Sequence, residues 1–304
     1  MNTLLVFGSS GFVGAHVASY ARQAGWQVAG VAGHAAAPAG PWEQLSADIG
    51  DARAVEALIA RVRPTAVVNA AAIADIDRAE REQPLAWRVN VEGAANVART
   101  CAERGIRHLF LSSDAVFGGT QVCYREDDEP APVNYYGRTK AEAEAQVLTL
   151  HPRSAVVRLS LVLGFALEGS GNAYLSGLER RLLAREPIPC ATDEIRSPID
   201  VLTVAACLVE LAEKTIAGVL HIAATEAVDR YTLACDLARR LGLDAGLLRP
   251  VLATVQPGRA PRHRLGHLCV ERAQALLCTT MPSLAGVYER ALGTRNPARR
   301  GDTT

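Results

Sequence analysis

The strongest constraint on this chain of 304 residues is the rhythm of its first half, where short unbroken apolar runs alternate with longer amphipathic segments. Residues 4–7, 27–31, 66–69, 108–111 and 154–158 read as strands. Residues 13–24, 52–62, 82–103 and 136–150 read as helices, punctuated by Gly25, Pro64 and Gly105, with Pro84 early enough for a helix to tolerate it. Strands that are apolar on both sides belong in a sheet covered on both faces, and helical crossovers between them make it parallel. The expected class is therefore α/β, a doubly wound parallel sheet. After residue 159 the rhythm loosens: 164–177 reads as loop, 201–214 as helix, 219–222 as strand, 232–241 as helix, 256–266 as a basic loop and 283–292 as helix. This predicts a sheet domain over 1–160 with 197–222 returning to it. A smaller C-terminal lobe spans 161–196 and 223–293, followed by a flexible tail at 294–304.

The first of these strands runs into Gly8-x-x-Gly11-x-x-Gly14, which opens the first helix. Glycines there let the backbone approach a pyrophosphate, and the helix start offers unpaired N–H groups and a positive dipole end. This points to a Rossmann-type dinucleotide site formed by Gly8, Ser10, Gly11, Phe12, Val13 and Gly14. A carboxylate ending the second strand would hold the ribose of NAD, but the stretch from Ala29 to Gly33 has none and the next acid is Glu43. That favours NADP(H) over NAD(H), with His34 as the candidate contact for the extra phosphate, since no arginine stands nearby.

Composition narrows the partners. Thirty-two basic residues balance 32 acidic ones, and aromatics make up 5% of the chain, which argues against nucleic acid. The seven cysteines are scattered without a Cys-x-x-Cys pair, so neither a disulfide framework nor a zinc or other metal site is expected, and they read as buried core thiols. The run at 4–7 is too short for a signal core or a membrane span, so a cytoplasmic protein with no membrane association is expected.

Three further segments sit where strands end and ligands bind: Asn69-Ala70-Ala71-Ala72, Ser112-Ser113-Asp114, and Tyr136 with Lys140, which share one helix face. The Tyr-x-x-x-Lys spacing resembles the extended short-chain dehydrogenase/reductase superfamily. Arg63 to Ala72, Asp77-x-x-Glu80, Val89-Asn90, Ser113 to Gly119 and Asn134 to Lys140 resemble the dTDP-4-dehydrorhamnose reductases and related nucleotide-sugar 4-ketoreductases. These stretches cover most of residues 1–160; the second half is similar only loosely.

The resemblance implies NAD(P)H-dependent reduction of a keto group on a nucleotide-linked deoxysugar of the dTDP-4-keto-6-deoxyhexose type. It makes Ser113, Tyr136 and Lys140 catalytic: Tyr136 the proton donor, Ser113 the group that orients the carbonyl oxygen, and Lys140 a holder of the nicotinamide ribose. A free tyrosine titrates at about 10, and the nearby Lys140 ammonium is expected to lower Tyr136. Asp48 and Ile49 resemble the segment that contacts adenine, and Asn69, Ala70, Ala71, Ala72, Asn90 and Ser112 border the cofactor. Asp114, Ala115 and Val116 are expected beside the sugar, and Arg196, Arg259 and Arg262 are candidate cations for a diphosphate. A homodimer is implied by resemblance alone.

Two departures stand out. Ala115 replaces an aromatic residue common in the family, and Arg262-His263-Arg264-Leu265-Gly266-His267-Leu268 departs from a segment that usually carries Arg-Pro and Asn-Ser. No Asp-Glu pair follows Ser113, which excludes a 4,6-dehydratase. The alternatives are a nucleotide-sugar epimerase on the same site, or a catalytically silent regulatory subunit of the same fold.

Overall fold

Leu4, Leu5 and Val6 are wholly shielded from solvent in β1 (Thr3–Phe7), at the middle of a parallel sheet. The computed structural model describes residues 2–33, 41–167, 173–253 and 259–295. On one side of β1 lie β2 (Gln27–Ala32) and then β3 (Glu43–Ser46). On the other lie β4 (Ala66–Asn69), β5 (Arg107–Ser113), β6 (Ala155–Leu159) and, last, a strand at Gly218–Ile222. All six pairings are parallel. The order reverses between β1 and β4, so the crevice above their carboxyl ends is where such sheets take ligands.

Helices α1 (Phe12–Gln23), α2 (Ala52–Val62), α3 (Ile76–Arg81), α4 (Gln83–Trp87), α5 (Gly93–Arg104) and α6 (Tyr135–Leu150) carry the crossovers. The expected single helix over 82–103 is divided: a π-helical turn at Arg88–Glu92 separates α4 from α5. That widened turn places Asn90 in the interior, where it bonds neighbouring segments.

Beyond β6 come β7 (Val162–Leu163), α7 (Tyr174–Leu183), β8 (Ile188–Ala191), β9 (Ile195–Arg196) and β10 (Ile199–Asp200). Helix α8 (Val201–Glu213) packs on α1 and delivers the chain to β11 (Gly218–Ile222), which returns to the sheet as expected. Then follow β12 (Val228–Asp229), α9 (Arg230–Leu241), β13 (Leu248–Val251), β14 (Leu265–Gly266), α10 (Glu271–Leu276) and α11 (Leu284–Gly293). Outside the main sheet, β13 pairs with β8, while β12 and β14 flank β9. No helix among the described residues is long and apolar enough to cross a membrane.

Three readings need correction. Helix α7 starts inside the stretch read as loop at 164–177, because Leu175, Leu178 and Leu182 fall on one buried face. The segment read as a basic loop at 256–266 ends in β14. Among the cysteines, Cys101, Cys190, Cys207 and Cys235 are buried thiols, but Cys278 is exposed and Cys123 is joined to Cys269 in a disulfide with a Cα separation of 5.8 Å. The partners are 146 residues apart, and a bridge set by tertiary approach has no local spacing signature.

Candidate active site

Gly8, with φ of 81°, turns the chain out of β1, and a Cβ there would come within 2.7 Å of the Ala70–Ala71 backbone. At Gly14 a Cβ would stand 2.2 Å from the Gly8 carbonyl oxygen, so only glycine lets α1 start this close to β1. Helix α1 has no side-chain cap and no acid in its first turn, leaving its N–H groups unclaimed by side chains. Above it opens a cavity of about 420 Å³ lined by Gly8, Ser10, Gly11, Asp48, Ile49, Ala70, Ala71 and Ala72, with Ile73, Arg78 and Val89. Eight of the residues expected around a dinucleotide thus meet at one wall. Phe12 lines the neighbouring cavity instead, and Val13 packs towards the core. His34 lies outside the described residues.

Asn69 and Ser112 line neither this cavity nor the next but are buried, and Asn69 Nδ2 and Ser112 Oγ have no partner. These orphaned groups, the unclaimed helix start and the close-approach glycines fit a dinucleotide. Asn90 does not line the cavity. Its Oδ1 accepts from Ile73 N (2.8 Å) and its Nδ2 donates to Thr139 Oγ1 (3.0 Å), so it ties the cavity wall to α6. Asp48 is paired with Arg88.

A second cavity, of about 430 Å³, is lined by Phe12, Ala74, Ser113, Asp114, Ala115, Tyr136, Ser160, Arg196, Arg230, Arg259, Arg262 and His263. Adjacent residues line the two spaces at Gly11–Phe12 and Ile73–Ala74. Asn134 caps α6 by accepting from Gly137 N (2.8 Å) and donates to Pro261 O (2.9 Å), which fixes the helix carrying Tyr136 and Lys140 against the segment after residue 258. Burial of Tyr136, reinforced by the Asp114 carboxylate, outweighs the lowering effect of the neighbouring Ser113 hydroxyl and pushes its own hydroxyl up to about 12. The expectation that Lys140 lowers Tyr136 is therefore corrected. The Lys140 ammonium donates to Leu111 O (2.5 Å) and sits over the Phe110 ring, and burial brings Lys140 itself down to about 7 against the opposing charge of Glu144.

Asp114 is the hub of the second cavity. Its Oδ1 accepts from Ser113 Oγ (3.1 Å) and its Oδ2 from Ser160 Oγ (2.9 Å), while Arg196 Nε and His263 Nε2 stand 3.5 and 3.4 Å from Oδ2. Burial alone would raise its carboxyl, but His263, Arg196 and Ser160 overcome that and hold it at about 2. Expected to face a substrate, Asp114 instead has its oxygens occupied by protein. Ala115 lines the space, whereas Val116 is fully buried in the core and does not.

The three expected arginines also have protein partners. Arg196 donates to the carbonyls of Ile195, His263 and Arg264; Arg259 grips Glu194 at 2.7 and 3.2 Å; Arg262 grips Asp77 at 3.1 and 2.9 Å. Sequence reasoning missed Arg230. Its guanidinium lies 4.4 Å from the centre of the Tyr174 ring, and among the described residues no carboxylate is paired with it. It borders both the second cavity and an adjoining one of about 330 Å³ that includes Tyr174, Arg180 and Cys190. Nothing local to Asp229-Arg230 signals this, because the position depends on α9 meeting α7.

A profile of the RmlD substrate binding domain matches residues 1–292. The chain is 32% identical over 265 residues to a dTDP-4-dehydrorhamnose reductase of Mycobacterium tuberculosis (strain CDC 1551 / Oshkosh), covering 85% of this chain and 82% of that one. It is 31% identical over 253 residues to methionine adenosyltransferase 2 subunit beta of Pongo abelii, covering 82% and 75%. The crystal structure of dTDP-4-dehydrorhamnose reductase from Bacillus anthracis str. Ames in complex with NADP superposes with a TM-score of 0.82 at 24% identity, covering 96% of this chain and 99% of that one. Together with the seven-stranded parallel sheet, the profile match across nearly the whole chain establishes that it belongs to the RmlD substrate binding domain family, within the extended short-chain dehydrogenases/reductases.

Proposed function

We propose that this protein is an NAD(P)-dependent oxidoreductase that reduces a ketone on a nucleotide-linked deoxysugar. The observation that carries the reading is Tyr136: a buried tyrosine that shares with Ser113 the wall of one cavity, beside a second cavity lined by the glycine turn before α1. A bound nicotinamide dinucleotide would supply the hydride. Gly8, Ser10, Gly11 and the start of α1 would hold its pyrophosphate, with Asp48 and Ile49 towards the adenine end. NADP(H) is the proposed form, because Val31-Ala32-Gly33 closes β2 without a carboxylate.

Ser113 orients the carbonyl oxygen, and Tyr136 donates its proton to that oxygen as negative charge develops there. The raised pKa keeps the proton on Tyr136 until charge on the substrate draws it off. Lys140, brought down to about 7 by burial and so only partly protonated at neutral pH, would gain charge once an anionic ligand stands nearby. Arg230 over Tyr174 offers a cation and an aromatic face for the nucleotide portion.

The similarity to methionine adenosyltransferase 2 subunit beta favours a second reading, a partner subunit without turnover of its own. One assay separates them. Purified protein with NADPH and a panel of nucleotide-linked 4-ketosugars is expected to consume reductant, and Tyr136→Phe to cut that rate about 100-fold or more with NADPH binding retained. Tight NADPH binding without consumption on any sugar would favour the partner subunit. An undiminished rate in the phenylalanine variant would remove Tyr136 as the acid.

A further inference from the structure

Arg78 is the one cationic side chain, among the described residues, on the wall of the cavity above the glycine turn. Asp48, the one acid on that wall, is already paired with Arg88. The uncapped start of α1 brings N–H groups and partial positive charge, but no whole charge. An anion in this cavity therefore has a single formal counter-charge to draw on, and α3 supplies it. Arg78 Nε donates to Glu82 Oε2 at 3.0 Å, one helical turn on, and these side chains are 46% and 43% exposed. A pair this open to water is weak and holds neither partner firmly. The backbone beneath is fixed instead: Arg78 N donates to Asp75 Oδ1 (2.8 Å), and Glu82 N donates to Arg78 O (2.8 Å). The guanidinium can thus swing on a helix that stays seated.

Helix α3 also borders both cavities: Ile76 lines the one that holds Ser113 and Tyr136, and Arg78 the one that holds Gly8 and Gly11. It follows β4, whereas the end of β2 at Val31 and Ala32 lies on the far side of β1. A phosphate on the adenosine ribose belongs at the β2 end, and the pyrophosphate belongs over the glycine turn, between β1 and α1. We infer that Arg78 binds the pyrophosphate of the dinucleotide, reaching it from the β4 side, and that Glu82 competes for the same guanidinium. A planar fork of donors suits paired phosphate oxygens. The inference rests on the dinucleotide half of the proposed function and adds to it the cation that the glycine turn lacks.

The test measures Kd for NADPH and for NADH by fluorescence titration, with no sugar present, on wild type, Arg78→Gln, Arg78→Lys and Glu82→Gln. Arg78→Gln is expected to weaken both cofactors about tenfold, with a thermal midpoint close to that of wild type. Arg78→Lys, which keeps the charge without the fork, is expected to recover part of the loss. Glu82→Gln releases the arginine and is expected to tighten both cofactors by about two- to fivefold. Unchanged binding in Arg78→Gln would overturn the inference. A loss confined to NADPH would overturn it too, by placing Arg78 on the ribose phosphate, as would a loss of binding that tracks a loss of thermal stability. Glu82→Gln binding no tighter than wild type would overturn the competition. A wild type that binds neither cofactor would instead overturn the dinucleotide reading, and the inference with it.

Discussion

At the scale of single residues, the site is governed by one buried carboxylate. Asp114 sits between Ser113, Ser160, Arg196 and His263, and its charge adds to the burial that raises Tyr136. Because its carboxyl titrates at about 2 in the fold, below an ordinary aspartate, Asp114 stabilises the folded state once pH exceeds the unfolded value near 4. That contribution, on the order of 2 kcal/mol, disappears as pH falls through about 2. Asp114→Asn should therefore destabilise the protein most at neutral pH, with the gap to wild type narrowing between pH 4 and 2. Urea midpoints measured across that range check it, and a gap independent of pH would remove the charge as the cause. Tyr136 and Lys140 were legible as a pair on one helix and Ser113 as a strand end; Ser113 and Tyr136 share a cavity wall, whereas Lys140 lines neither cavity. Arg230 was not legible, and neither was the closing of Asp114 by protein partners, because those meetings depend on segments far apart in the chain.

At the scale of elements, the glycine turn sets what α1 can do. Gly14→Ala puts a methyl group against the Gly8 carbonyl oxygen, so α1 must move away from β1 or the turn must open. The expected result is at least a tenfold weaker Kd for NADPH and a stability loss of about 1–3 kcal/mol, read by fluorescence titration and thermal unfolding. Unchanged binding would remove the turn from the cofactor site. Continuous apolar runs made β1, β4, β5 and β6 readable, whereas their register is seen only in the structure. The polar edge strand β3, the two-residue strands β7, β9, β10, β12 and β14, and the π-helical turn carry no period of their own. Packing against neighbours creates them, so a single sequence shows nothing to count.

At the scale of the whole molecule, the segment from Arg259 to Gly266 is fastened from several directions. Arg262 and Ala260 N reach Asp77 on α3, Asn134 reaches Pro261, Arg259 reaches Glu194, and β14 pairs with β9. The arginines of this segment are thus tied to protein carboxylates, Arg259 to Glu194 and Arg262 to Asp77, whereas Arg230 has no paired carboxylate among the described residues. Asp77→Ala frees Arg262 and the backbone at Ala260, and is expected to raise KM for the sugar several-fold with a smaller change in kcat, measured by steady-state kinetics. A purely lower kcat would place the effect on α6 instead. The return of β11 to the sheet was legible from the strand pattern at 219–222, whereas this fastening was not, because both ends of each tie are polar residues that read as solvated surface.

The Cys123–Cys269 bond closes a covalent ring that contains α6, β6, α8 and β11, while β1 to β5 lie before it. The seam between α6 and the lobe thus falls within the ring. A polypeptide cut at any one point between the two cysteines severs the sequence but not the molecule: both fragments remain a single species until the sulfur bridge is reduced. Of the seven sheet strands, only β6 and β11 would be held in this way, and the five strands that form the glycine-turn end of the sheet remain ordinary linear chain.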